Sequence, residues 1–222
     1  MNRDLEWRPE SCCCRLSGDV GPDGLQEKMD ALAERVARVV KEEVIVVPYD
    51  VRWPVAFEEE RRRLLDCLPH DQIRRVEHFG STAVPGLSAK PIVDMLVEVT
   101  SLEETKRRIV PVLEAQKYEY FWRPSQGDDV PPFYAWFIKR DAEGKRTHHI
   151  HMVEAGFEHW DGLFFRDYLI ECPDVAKRYA DLKMNLAGAY RYDRVAYAEG
   201  KRAFIKAVTQ QAKDCLENRG KK

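Results

Sequence analysis

Apolar residues follow two different spacings along this chain, and these spacings predict helices interleaved with strands. Apolar side chains recur every three to four residues in about 25–43, 55–68, 157–170 and 175–190, as on one face of an α-helix. Shorter runs rich in branched and aromatic residues are typical of strands and lie at 44–47, 73–79, 91–99, 118–122, 133–140 and 146–154. Further helices are expected from Ser101 to about Gln116 and after Asp193.

Prolines and glycines indicate where these elements bend or end. Pro111 lies inside the helix that begins near Ser101 and removes a backbone donor, so we expect a kink or a break there. Gly127 and three prolines within 123–132 predict a loop. Gly144 predicts a hairpin between the strands on either side of it, which would then pair antiparallel.

Composition narrows the class of protein. The 222 residues suit one domain with terminal extensions, and 36 basic against 38 acidic residues give a net charge of -2. This balance argues against nucleic acid as a general partner, although it leaves room for a local basic site. No apolar run approaches the ~20 residues of a membrane span, and the chain start lacks a signal-peptide core, so we expect a cytoplasmic protein. The six cysteines lack the paired spacing of a zinc site, and reduced thiols are expected even for the adjacent run Cys12–Cys14.

The most informative stretch is a glycine-bearing turn followed by a lysine and an apolar strand that carries one acid near its start. Gly80 permits backbone conformations that other residues resist, and Ser81 and Thr82 add hydroxyls beside the N–H groups of the turn. Such a turn can cradle an anion, although a Gly-Ser turn is also an ordinary connection. Asp94 is costly in an apolar strand without a partner, which makes it a candidate metal ligand or an ion-pair partner of Lys90.

Histidines on another strand form the second candidate group. Alternation along this strand places His149 and His151 on one face, and His148, Ile150 and Met152 on the other. Two imidazoles on one face can bind a metal ion together or donate hydrogen bonds to a phosphate. The same pattern also occurs as ordinary packing, so its meaning depends on whether the pair meets the acid of the other strand.

These residues resemble a known family. Gly80-Ser81 followed by Asp94 on a strand is similar to the signature of the nucleotidyltransferase superfamily, the polymerase-beta-like fold. The longer segment His78-Phe-Gly-Ser-Thr-Ala-Val-Pro-Gly-Leu-Ser-Ala-Lys-Pro-Ile-Val-Asp94 is similar to the hallmark segment of the GrpB family. Later segments agree in order, namely Thr147–His151, Phe165–Leu169, Tyr179 with Lys183, and Tyr197 with Lys201 and Phe204. The resemblance implies an α+β, nucleotidyltransferase-like fold, in which a mixed β-sheet is flanked by helices and the C-terminal region is helical.

The resemblance also divides the chain. It covers 44–212, which is expected to be the GrpB-like domain. Residues 1–43 then form an N-terminal extension, with a disordered leader over 1–23 and an amphipathic helix after it. The apolar stripe of that helix must cover either the domain or another chain. A polar tail is expected over 213–222.

The resemblance further implies a site. A phosphate or nucleotide would be held by Gly80, Ser81, Thr82, Lys90, Arg166, Lys183 and Lys201. The superfamily ordinarily has two metal-binding acids two residues apart on one strand, whereas here Leu96 stands at the second position. Asp94, His149 and His151 would instead bind a divalent ion (Mg, Mn or Zn) and form the catalytic group. Such a nitrogen and oxygen set suits zinc, manganese or nickel better than magnesium.

Two functions of different classes stay open at this point. The first is metal-dependent nucleotidyl or phosphate-ester transfer on a nucleotide. The second is a non-catalytic nucleotide- or phosphate-binding module, in which Lys90 pairs with Asp94 and the histidines contact the ligand. A histidine-triad hydrolase is excluded because Val153 stands where its third alternating histidine would be. In both readings the partner is a nucleotide or another phosphorylated small molecule, and no membrane is involved.

Overall fold

The computed structural model describes residues 22–125 and 131–219, with side chains for 30–125 and 131–218. The predicted leader therefore lies outside the described residues except for its last two positions, which belong to a helix, and so does the Cys12–Cys14 run. Of the helices between Pro22 and Arg219, none combines the length and hydropathy needed to cross a bilayer.

A five-stranded sheet forms the centre of the domain. Its strands are β1 (Ile73–Phe79), β2 (Val93–Val99), β3 (Glu119–Pro124), β4 (Phe133–Arg140) and β5 (Arg146–Val153). The strand order is β1-β2-β5-β4-β3. Strands β2 and β5 run parallel, and the other neighbours run antiparallel. The prediction of a mixed sheet is confirmed, and Gly144 has the positive φ of 79° that its hairpin position requires.

Helices cover the sheet and make up the C-terminal region, as predicted. They are α1 (Pro22–Lys41), α2 (Trp53–Cys67), α3 (Leu102–Glu104), α4 (Val110–Ala115), α5 (Asp161–Glu171), α6 (Pro173–Ala189) and α7 (Arg194–Arg219). The Asp193 carboxylate accepts a hydrogen bond from the Ala196 N–H at 2.9 Å, so it caps α7 as expected. Most of the stretch expected to be a polar tail belongs to α7, and residues 220–222 lie outside the described part.

Both faces of the sheet are buried, which explains the nearly continuous apolar run of β2. On one face, Met95 and Val97 of β2 and Ile150 and Met152 of β5 belong to a core shared with α2 and α4. The opposite face carries Leu96, Trp136, Ile138 and Val153, and α1 packs against it with Leu32, Val36 and Val39. The apolar stripe of α1 therefore covers the domain, which was one of its two predicted alternatives.

A third core connects the Gly80 turn to the C-terminal helices. Val84 and Leu87, which follow the turn, pack with Phe165, Leu169 and Tyr179 of α5 and α6. This contact places α6 and α7 beside the start of β2, where the predicted site residues lie.

The structure corrects one local prediction and confirms another. The strand expected at 44–47 is a single bridge between Val47 and Ala89, because the chain meets Pro48 directly afterwards and cannot extend the ladder. The helix expected to be disturbed by Pro111 contains a π-helical turn over Thr105–Ile109 between α3 and α4. Proline lacks the N–H that an α-helix would use there, so the prediction of a break is confirmed.

Candidate anion and metal site

Asp94, His149 and His151 lie together on the face of the sheet that α1 covers. Parallel pairing of β2 with β5 sets Asp94 beside His149 and Leu96 beside His151. His149 Nδ1 is 3.1 Å and His151 Nε2 is 3.9 Å from Asp94 Oδ1, and one donor atom from each residue fits within 4.8 Å of the others. The alternation argument therefore placed both histidines on the correct face.

The Gly80 turn closes over the Asp94 carboxylate. Gly80 has φ 73° and ψ -168°, a combination that is open to glycine and strained for other residues. A Cβ at this position would lie 2.7 Å from Asp94 Oδ2. Glycine is needed here both for the backbone angle and for the approach to Asp94.

The hydroxyl side chains of the turn have different surroundings. Thr82 is 1% exposed, and its Oγ1 is 3.0 Å from Nε2 of His78, whose ring stacks on Phe57 in the core of the opposite face. His78 therefore occupies the hydroxyl of Thr82 that was predicted to contact a phosphate. Ser81 lies near the buried Tyr179 side chain, where it acts to lower the pKa that burial raises.

Lys90 and Lys201 lie at the site and share one aromatic ring. Their Nζ atoms are 5.3 Å and 4.4 Å from the ring centre of buried Tyr197. The pKa of Lys201 is lowered to about 8, mainly by burial, with Asp94 opposing the shift and Arg194 adding to it. Burial and repulsion by Lys201 and Arg194 lower the pKa of Lys90 well below its usual value. Among the described residues Asp94 pairs with the two histidines and not with Lys90, which corrects the ion pair considered from the sequence.

The other two predicted cations differ from each other. Lys183 is 1% exposed and donates to the Ser88 carbonyl, and burial followed by repulsion from Lys201 lowers its pKa to about 7. Arg166 donates to the His78 carbonyl at 2.8 Å and pairs with Glu77 and Asp167. Lys183 thus lies near Lys201, as predicted. The Arg166 guanidinium instead has its own partners on β1 and α5.

A second group of cations was missed by the sequence reasoning. Arg146 is 7% exposed, and its Nη1 lies 3.4 Å from His149 Nε2. Arg146 and Arg194 both contact Glu42, at 2.5 Å and 3.7 Å. Burial and repulsion from Arg194 lower the pKa of Arg146 to about 10. Glu42 comes from the residues just after α1, so no local sequence signal connects it with β5.

Aromatic rings surround His151. Phe79 lies edge-on at 5.2 Å and Tyr134 is stacked at 5.6 Å, while His159 is 5.7 Å away between ring centres. Burial, followed by repulsion from His159, lowers the pKa of His151 well below its usual value, although Asp94 acts in the opposite direction. The surroundings of His151 therefore favour its neutral form.

The donor atoms only partly fit a resident divalent ion. An ion bound at ~2.1 Å separates neighbouring ligand atoms by roughly 3.0–3.5 Å, which the contact of His149 Nδ1 with Asp94 matches. A metal-bound histidine, however, usually donates its other ring N–H to an acceptor. The other nitrogen of His149 faces the Arg146 guanidinium, which only donates. Nδ1 of His151 is buried and has no hydrogen-bond partner among the described residues. The surroundings of both histidines thus differ from those of ordinary ligands.

Comparison with known proteins indicates the family of this chain. Residues 43–211 match the family described as GrpB protein. The glutamate-rich protein GrpB of Alkalihalophilus pseudofirmus is 35% identical over 176 residues, covering 78% of this chain and 98% of that protein. The protein YqkA of Bacillus subtilis is 36% identical over 174 residues, covering 78% of this chain and 48% of YqkA, so the chain spans about half the length of that relative.

A solved structure shares the fold. The crystal structure of the conserved protein GrpB from Enterococcus faecalis is 36% identical with a TM-score of 0.63, and the match covers 76% of this chain and 96% of that one. The family match takes in all five strands together with the Asp94 and histidine positions. This chain belongs to the GrpB protein family.

Proposed function

We propose that this GrpB-family protein binds a nucleotide or another phosphorylated small molecule between the Gly80 turn and the C-terminal helices. The observation that carries the proposal is a local excess of basic side chains over carboxylates around Asp94. Lys201, Arg194 and Arg146 repel the charged form of Lys90. Asp94 is the carboxylate that stabilises this form.

The excess remains after the ion pairs are counted. Glu42 pairs with Arg146 and Arg194, whereas Lys90 and Lys201 have no carboxylate partner among the described residues. Like charges repel strongly when they are partly removed from water, so folding alone does not favour such a cluster. An anion with several oxygens would relieve the repulsion, and phosphate groups provide these oxygens.

The Gly80 turn favours a phosphate as the anion. The first N–H groups of a short helical turn have no acceptor within the turn, and they begin here next to Ser81. In this proposal the phosphate accepts hydrogen bonds from these N–H groups and is balanced by Lys90 and Lys201. Another relative, a dephospho-CoA kinase of Mycolicibacterium paratuberculosis, is 26% identical over 204 residues, and the match covers 82% of this chain and 49% of that protein.

Metal-dependent nucleotidyl or phosphate-ester transfer is the second candidate. The spacing of Asp94, His149 and His151 favours it, since one atom of each fits within 4.8 Å of the others. A divalent ion bound there would supply charge stabilisation at a phosphate oxygen. The donor contact from Arg146 to His149 weighs against this candidate as the resting state of the site.

Titration calorimetry in EDTA tests the first proposal, with inorganic triphosphate and ATP as probes. We expect binding that weakens by at least about tenfold in Lys90→Met and in Lys201→Met, because each variant removes one cationic contact with the bound anion. Lys177→Met is the matched control, since Lys177 is exposed on α6 and pairs with Asp181. Absence of binding, or an equal loss in the control, would contradict the proposal.

Asp94→Asn separates the two candidates. If the site binds phosphate without metal, removing this carboxylate relieves repulsion, and triphosphate affinity in EDTA should rise by about threefold or more. If the ligand enters as a metal complex held by Asp94, affinity should appear only with added Mg²⁺, Mn²⁺ or Zn²⁺ and should vanish in Asp94→Asn. Thermal unfolding of each variant, measured alongside, shows whether a loss of binding reflects loss of the fold.

A further inference from the structure

A continuous series of contacts connects the N-terminal helix to Asp94. At the end of α1 the Val39 carbonyl accepts a hydrogen bond from Arg146 Nη2, and Glu42 accepts one from Arg146 Nε. Arg146 Nη1 then lies 3.4 Å from His149 Nε2, and His149 Nδ1 lies 3.1 Å from Asp94 Oδ1. The guanidinium therefore has one nitrogen directed at each of three acceptors.

A β-bulge gives Arg146 its position. Strict alternation along β5 would place residue 146 on the face of His148, away from His149. Lys139 pairs with His148, but Arg140 pairs with Arg146, so Thr147 is left without a partner in the ladder. The extra residue reverses the alternation and directs Arg146 to the His149 face. Bulges commonly redirect a side chain in this way beside functional sites.

The contacts also determine where the His149 proton lies. A guanidinium can only donate hydrogen bonds, so the nitrogen of His149 that faces Arg146 is the acceptor. The proton of the neutral ring is then on Nδ1, from which it is donated to the Asp94 carboxylate. A metal ion at Nδ1 would require the opposite tautomer, with two donors facing each other at Nε2.

We infer that Arg146, held by Glu42 and the Val39 carbonyl, is a positioning residue that fixes His149 as the Nδ1–H tautomer and thereby orients Asp94. His149 is consequently a hydrogen-bond donor to Asp94 and is excluded from metal binding while Arg146 is in place. Both partners that hold Arg146 lie outside the family match of 43–211, so this chain sets the state of its site from its N-terminal extension. The inference rests on the proposed function only in taking Asp94 as part of the ligand site.

Two-bond ¹H–¹⁵N spectra of ¹⁵N-histidine-labelled full-length protein test the inference directly, with the His149 signals assigned by comparison with His149→Gln. In the unmodified protein we expect a protonated Nδ1 and an unprotonated Nε2. In Arg146→Met the two nitrogens should move towards averaged shifts as both tautomers become populated, and Arg146→Lys should restore the original pattern in part. Arg140→Met is the matched control, because Arg140 also bonds Glu42 but is not among the contacts of His149.

Zinc binding, measured by calorimetry on the same samples, gives an independent readout. Second-sphere changes alter metal affinity by roughly 10–100-fold, so Arg146→Met should gain at least tenfold in zinc affinity at a site that Asp94→Asn abolishes. Glu42→Gln, which leaves Arg146 in place, should shift both readouts in the same direction if Arg146→Met fails to fold.

The outcomes separate this inference from the proposed function. An Nε2–H tautomer in the unmodified protein overturns the inference, as does unchanged zinc affinity in Arg146→Met. Triphosphate binding is measured separately, and its absence alongside the expected tautomer overturns the proposed function and leaves the role of Arg146 standing.

Discussion

Gly80→Ala is the substitution whose effect follows most directly from the structure. Two independent penalties act at this position. The backbone angles of Gly80 are strained for any residue with a Cβ, and the new Cβ would lie 2.7 Å from Asp94 Oδ2. Asp94 cannot move away freely, because its other oxygen accepts a hydrogen bond from His149.

Gly86 allows the two penalties to be separated. It also has a positive φ of 76°, but a Cβ there would meet no atom of the described residues within 4 Å. Gly86→Ala therefore carries the backbone cost alone, about 1 kcal/mol. Gly80→Ala adds the displacement of a hydrogen-bonded carboxylate, for a total of roughly 3–4 kcal/mol. For a chain of this size ~1 kcal/mol lowers Tm by about 2–4 °C, so we expect losses near 10 °C for Gly80→Ala and near 3 °C for Gly86→Ala.

Thermal and urea unfolding of the two variants, followed by circular dichroism, measure the difference. Calorimetry with triphosphate should also show that Gly80→Ala loses affinity while Gly86→Ala keeps it. Equal destabilisation by the two substitutions would refute the contact between the turn and Asp94. Unchanged triphosphate binding in a folded Gly80→Ala protein would show that the turn does not contact the phosphate.

Three further predictions test the structural assignments around the site. Thr82→Val should lower the free energy of unfolding by about 1–2 kcal/mol through loss of the His78 contact, and triphosphate affinity measured by calorimetry should stay unchanged if Thr82 is structural. Burial lowers the pKa of Lys201 to about 8, below the ordinary lysine pKa of 10.5. Between these two pH values the unfolded state therefore binds more protons than the folded state. The free energy of unfolding in urea should consequently rise with pH in this window for the unmodified protein relative to Lys201→Met. Triphosphate affinity should fall over the same window as the ammonium loses its proton. Glu60→Gln should destabilise the protein by roughly 1.5–3 kcal/mol in urea titrations, because buried Glu60 accepts charged hydrogen bonds from Arg63 and Lys139, which stay partly solvated. These residues lie on the face opposite the site, so triphosphate binding should stay intact.

The sequence determined most of the secondary structure and the sheet face on which the site histidines lie. Period-2 alternation depends only on backbone geometry, so it separated His149 and His151 from His148 before any partner was known. The Gly80 turn and the Asp94 strand were likewise predictable, because a glycine with positive φ and a single acid in an apolar run leave local signals. The mixed sheet was predicted from the resemblance to the GrpB family, because its strands are distant in sequence and local patterns do not show how they pair.

Tertiary structure alone decided which charges meet at Asp94 and what each polar group does there. Glu42 and Arg146 are 104 residues apart, and no periodicity connects them. The bulge between β4 and β5 reverses the alternation at Arg146, since an extra residue in one strand shifts the register of every side chain before it. Thr82, read from the sequence as a phosphate contact, has its hydroxyl beside His78. The physical reason is common to all three: a side chain's partner depends on the distance between elements after packing, and local patterns along the chain determine only its face.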